Sequence, residues 1–190
     1  MSEIEDGTGS GKSAKVGVQN RLHTHSLAAD VGNVSAQNGD TYNIGSQLVT
    51  LTTANASGIL YIENREDIDI SLTTLFVNLG TSTGGSGKGT ITFTLNPTGG
   101  TLISAAEDAD NFNRKIGDAN TVSLNAYRGV EGSTVVGGQV IELPTSGGAL
   151  NSEYILPKGS SFALSYTPAV GNTSIDIQIG ISIPTIYIIS

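Results

Sequence analysis

The chain has 190 residues, nine Lys+Arg against 17 Asp+Glu, a formal net charge of −8 and no cysteine. That length suffices for one domain, or one domain with an arm, that builds a core without staples. The missing cysteines exclude disulfides, thiolate metal sites and a Cys nucleophile, and the acidic balance lacks the basic stripe that a duplex-binding protein uses to displace counterions.

Residues 1–40 are rich in Gly, Ser and Asn and hold few large apolar side chains. They cannot bury enough apolar surface to fold alone, so an extended N-terminal arm is expected, with Val16, Val18 and Leu22 marking short extended pieces. The arm carries three Lys+Arg and five Asp+Glu, which is not a nucleic-acid tail. Its first residues have neither a basic nor an apolar run, so no secretory signal is expected. Asp6-Gly-Thr-Gly-Ser-Gly-Lys-Ser13 has the outline of a phosphate-binding loop. However, Asp6 stands where that motif requires glycine, and its carboxylate would repel a phosphate. His23 and His25, the only histidines, share one face if extended; two imidazoles are too few for a metal site within one chain.

From residue 41 onward the pattern is period-2 alternation broken by turn residues. Leu48–Leu51 and Ile59–Ile62 read as strands. Ile68, Ile70 and Leu72 alternate, then Leu75, Val77 and Leu79 alternate in the opposite phase, which predicts a bulge near Thr73 and Thr74. Ser82–Gly89 reads as a flexible connector, and its Gly84–Gly89 stretch also fails the phosphate-loop pattern. Ile91, Phe93 and Leu95 form a further strand, closed by a Pro97-Thr-Gly-Gly turn. Ser104–Asn113 is either a short helix or a loop. Strands follow at Val122–Ala126, Val135–Val136, Val140–Leu143 and Phe162–Tyr166, with turns at Pro157-Lys-Gly and Gly171-Asn. The clearest strand is the last: Ile175, Ile177, Ile179, Ile181 and Ile183 fall on one face, with Pro184 expected at an edge, bend or bulge. Ile175–Ile189 is too short and too polar for a membrane helix.

About eight to ten short strands with this punctuation predict an all-β chain, an antiparallel β-sandwich or jelly roll over residues 41–190, preceded by the arm. Three acidic stretches invite a chemical reading. Glu107-Asp-Ala-Asp110-Asn-Phe-Asn113 offers oxygen ligands of the kind calcium takes but not the EF-hand spacing. Glu66, Asp67 and Asp69 could supply paired carboxylates, yet alternation with Ile68 and Ile70 puts Asp67 and Asp69 on the wet face. Tyr127 with Arg128, and Phe112 with Asp110, are the aromatic–polar pairs a sugar site would use. No Ser-His-acid set is visible, so neither catalysis nor a cofactor is expected.

Asp6-Gly-Thr-Gly-Ser-Gly-Lys-Ser-Ala-Lys-Val, followed by Asn20-Arg-Leu-His-Thr-His, resembles the N-terminal segment of structural proteins of tailed bacteriophages. Leu51–Asn64 and Ile155–Phe162, the latter running into Tyr166-Thr-Pro and Gly171-Asn-Thr-Ser, are similar to them too, so the resemblance covers most of the chain in order. It implies a virion protein made in the host cytoplasm. Within that class it suggests a capsid decoration, or cement, protein on the outer surface of the shell. The resemblance further implies the major capsid protein or another virion protein as partner and a homo-oligomer with a trimer favoured, while the acidic charge argues against nucleic acid or a membrane as partner. Partner contact by the arm would then involve Lys12, Val16, Val18, Leu22, His23 and His25. A neck, tail or head-fibre component, or a host-glycan-binding surface module, is the alternative.

Overall fold

A computed structural model describes residues 3–5, 13–15, 36–52, 54–72, 74–84, 89–104, 107–143, 154–172 and 174–184. The chain divides into two compact units, Met1–Asp30 and Val31–Ser190. In the first, β1 (Glu3–Glu5) and β2 (Ser13–Lys15) form an antiparallel ribbon with Glu3 opposite Lys15.

The second unit is an antiparallel β-sandwich. Its strands are β3 (Thr41–Gly45), β4 (Val49–Leu51), β5 (Ser57–Asn64), β6 (Ile70–Leu72), β7 (Thr74–Thr83), β8 (Thr90–Leu95), β9 (Glu107–Asp108), β10 (Asp110–Asn113), β11 (Leu124–Arg128), β12 (Gln139–Leu143), β13 (Tyr154–Leu156), β14 (Ser161–Thr167) and β15 (Ser174–Pro184). A single-turn helix, α1 (Thr101–Ser104), precedes β9. One sheet has five strands: β15 pairs with β7 on one side and with β3 and β4 on the other, and β10 adds to β3. The other has six, in the order β12-β8-β14-β5-β11-β9. β6 and β13 form a separate two-stranded ribbon.

One core joins the two sheets. Ile177, Ile179 and Ile183 of β15 are fully buried, as are Ile62 of β5 and Phe162 and Leu164 of β14. Every second residue of β15 projects inward, and each buried isoleucine contributes roughly 1.5–3 kcal/mol of transfer free energy. Phe93 and Phe162 stack across β8 and β14 with ring centroids 4.9 Å apart. Leu164 lies opposite Leu60 and Ser165 opposite Gly58, so Ile59 is an extra residue in β5, and both Ile59 and Leu60 are buried.

A smaller cluster sits on the outer face of the six-stranded sheet, where Leu102 of α1 covers Tyr61 and Ala163. The loop after β11 docks on the start of β5 through Gly129 N–H to Ile59 O (2.9 Å) and Gly58 N–H to Ser133 O (2.7 Å). Both glycines are needed for that approach: a Cβ on Gly129 would lie 1.8 Å from the Gly58 carbonyl oxygen, and one on Gly58 would lie 2.8 Å from Leu102.

Three expectations change. Thr73, named for a bulge, lies outside the described residues; the strands on either side of it, β6 and β7, belong to different sheets, and the register irregularity of β7 lies further on, opposite Asp176. Glu107–Asn113 is neither helix nor loop; it is β9 and β10, joined at Ala109, and carries the chain from one sheet to the other. Val135–Val136 contributes only an isolated bridge from Val136 to Gly99.

Candidate functional site

The residues named for partner contact (Lys12, Val16, Val18, Leu22, His23 and His25) lie outside the described residues. What is described beside them bears on the phosphate-loop outline. In a true phosphate-binding loop the residue after the lysine opens a helix whose N-terminus faces the anion. Here Ser13 instead begins a strand that pairs back on Glu3–Glu5.

The acidic candidates tie loops together. The Glu66 carboxylate accepts the Ser123 N–H, and Asp67 pairs with Lys158 at the surface. The Lys158 bond and charge hold the Asp67 carboxyl below its usual range. Asp69 is exposed. Beside them stands a residue that alternation does not single out. Asn64, at the end of β5, is fully buried; its Nδ2 donates to Ile68 O (2.8 Å) and Leu156 O (2.9 Å), and its Oδ1 accepts the Glu66 N–H (2.9 Å). Glu131 likewise clamps Thr52, accepting its backbone N–H (2.6 Å) and its hydroxyl (2.8 Å). Asp118 accepts the Asn120 N–H and pairs with Lys115, and both contacts lower its carboxyl pKa. Among the described residues, no three His, Asp or Glu side chains converge on a point where a metal could sit.

The 107–113 stretch shapes a concavity. Among the described residues, β9 pairs only with Tyr127 and Arg128 of β11. After the Ala109 N–H bond to Ala126 O (2.9 Å), the chain leaves for β3 in the opposite sheet. The divergence opens a groove of about 340 Å³ lined by Asp108, Ala109, Asn111, Leu124, Asn125, Ala126 and Tyr127. The Tyr127 ring is backed by Tyr61, stacked at 5.7 Å and 8°. Burial raises the Tyr61 phenol pKa, opposed by its bond to Ser161. Asn125 Nδ2 donates to Glu63 (2.6 Å), and Arg128 pairs with Glu107. Of the expected Tyr127–Arg128 pair, Tyr127 lines this groove, whereas Arg128 is not among its lining residues. Phe112 does not line it. It lies on the opposite face of β10 from Asn111, 57% exposed, and Asp110 beside it accepts from Gln47 Nε2 (2.7 Å).

Away from the crossing the five-stranded sheet ends in β7 and the six-stranded sheet in β12. β7 has ten residues, Thr-Leu-Phe-Val-Asn-Leu-Gly-Thr-Ser-Thr, with no charge and no proline. Among the described residues it pairs with β15 alone. Phe76 of β7 and Val140 and Ile141 of β12 are exposed. Edge strands usually carry lysine, proline or inward charge that discourages pairing with another chain, and β7 has none of these. Among the described residues no helix is long and apolar enough to cross a membrane. No protein-family model matches the chain, and no curated protein matches it.

Proposed function

We propose that this protein is a non-enzymatic structural component of a tailed-phage virion, a decoration (cement) protein that binds the major capsid protein on the outer surface of the shell. The observation that carries the reading is the uncharged ten-residue edge strand β7, paired among the described residues on one side only; Val140 and Ile141 of β12, an edge strand of the other sheet, are exposed as well. Such an edge suits attachment by strand addition and apolar burial, which a surface of net charge −8 needs if it is to bind without basic residues. The resemblance of residues 6–16, 20–25, 51–64, 155–162, 166–168 and 171–174 to phage structural proteins supports the same class. Carboxylates spent on loop ties, as at Glu66, Glu131 and Asp118, fit a rigid body better than a catalyst. Self-association as a trimer would let many weak contacts add on a symmetric lattice.

The test is to add the purified full chain to shells that lack it and locate it by cryo-EM. Ordered density at capsomer junctions is expected, and F76K or V140K should weaken binding roughly tenfold, the cost of placing a charge in an apolar contact. Density only at the neck or tail would move the protein elsewhere in the particle. No density on any part of the particle would overturn the reading.

A further inference from the structure

The groove at the sheet crossing holds two polar side chains that the fold does not use. Asp108 and Asn111 both line it and are exposed, and among the described residues neither side chain has a hydrogen-bond partner. Their neighbours differ: Asn125 is held by Glu63, and Arg128 and Glu107 hold each other. Asp108 lies directly opposite Tyr127 in the β9–β11 register, which sets a free carboxylate beside an aromatic ring braced from behind by Tyr61.

The chemistry of this set selects one class of ligand. An ionised carboxylate only accepts hydrogen bonds, up to four of them, and a primary amide both donates and accepts. Together they match a pair of neighbouring hydroxyls. The tyrosine face takes apolar C–H surface. Polar atoms form most of the groove wall, which disfavours a purely apolar ligand. The Asp108 charge and the net charge of −8 disfavour an anion. A volume of about 340 Å³ is at the small end of ligand sites, enough for a single ring.

We propose that the groove between β9–β10 and β11 binds a neutral sugar ring, with Asp108 and Asn111 holding adjacent hydroxyls and Tyr127 lying against the ring. The site is independent of attachment through β7, because it lies at the β10 edge of the five-stranded sheet, opposite the β7 edge.

The experiment is saturation-transfer NMR on the full chain with methyl α-mannoside, methyl α-glucoside, methyl β-galactoside and N-acetylglucosamine, and with sialic acid as an anionic comparison. Transfer to at least one neutral sugar is expected and none to sialic acid. D108A and N111A should each weaken binding roughly tenfold, about the 1.4 kcal/mol of one lost polar contact. Neither substitution removes a bond the fold uses, and far-UV circular dichroism should be unchanged. F112A, outside the groove, should bind as the parent does. Absence of transfer from all four neutral sugars would overturn the proposal, as would transfer that survives D108A and N111A together.

Discussion

Removing the Asn64 side chain should cost about 3 kcal/mol of stability. Asn64 is fully buried and closes three backbone groups at once: the Ile68 and Leu156 carbonyls and the Glu66 N–H. The bond to Leu156 is in the interior, so in N64A that carbonyl loses its partner with no water in reach, a cost of about 1–3 kcal/mol. The other two are nearer the surface, where water can replace the amide, and each costs about 0.5–1.5 kcal/mol. With a urea m-value of about 2 kcal/mol/M, the midpoint should fall by roughly 1.5 M without a change in m. N64D sharpens the test. It keeps the acceptor for Glu66 but aims a second acceptor at two carbonyls in a buried site, which raises the carboxyl pKa in the folded state above its unfolded value. A group raised in this way favours the native state below its unfolded pKa and loses that contribution as pH rises through the folded value. N64D should therefore recover part of that loss near pH 4, where its single O–H can replace one of the two amide donors, and be less stable than N64A at pH 7. Urea denaturation followed by circular dichroism at both pH values measures this. A loss under about 1 kcal/mol in N64A, or an N64D midpoint that does not improve on acidification, would refute the reasoning.

Two further stability outcomes follow from the packing. G129A puts a methyl group 1.8 Å from the Gly58 carbonyl oxygen, where backbone faces backbone and no side chain can swing away, so a loss of about 3 kcal/mol or more is expected in the same urea assay. Tyr166 is fully buried, and its phenol oxygen accepts the Gly89 N–H at 3.1 Å. Burial raises its pKa above 10.0, so the native state binds the proton more tightly than the unfolded chain does. Stability should be intact below about pH 10 and fall as pH rises beyond it, more steeply in the parent than in Y166F, which should lose about 1 kcal/mol at neutral pH.

Much of the architecture is legible in the residues themselves. The five alternating isoleucines of β15 are all buried, because a period of two in a strand maps directly onto inside and outside. The same reading works for Phe162, Leu164 and Tyr166, whose inward faces fill the core. It fails at β9 and β10, for a physical reason. Apolar alternation reports burial, and these two strands lie at sheet edges, held by backbone hydrogen bonds with their side chains largely in solvent. Glu107–Asn113 thus has no pattern to read, yet it carries the chain between sheets and shapes the groove. Asn64 is similar: nothing local distinguishes it from the many asparagines in turns, and only the approach of residues 68 and 156 gives its amide buried partners. The sequence by itself therefore determined the all-β class, the main strands and their inward faces, since these depend on side-chain periodicity alone. Strand order, the sheet crossing at Ala109, the polar pair Asp108 and Asn111 without partners among the described residues, and the one-sided pairing of β7 among them were decided by tertiary structure, since each depends on which distant backbone comes to lie alongside.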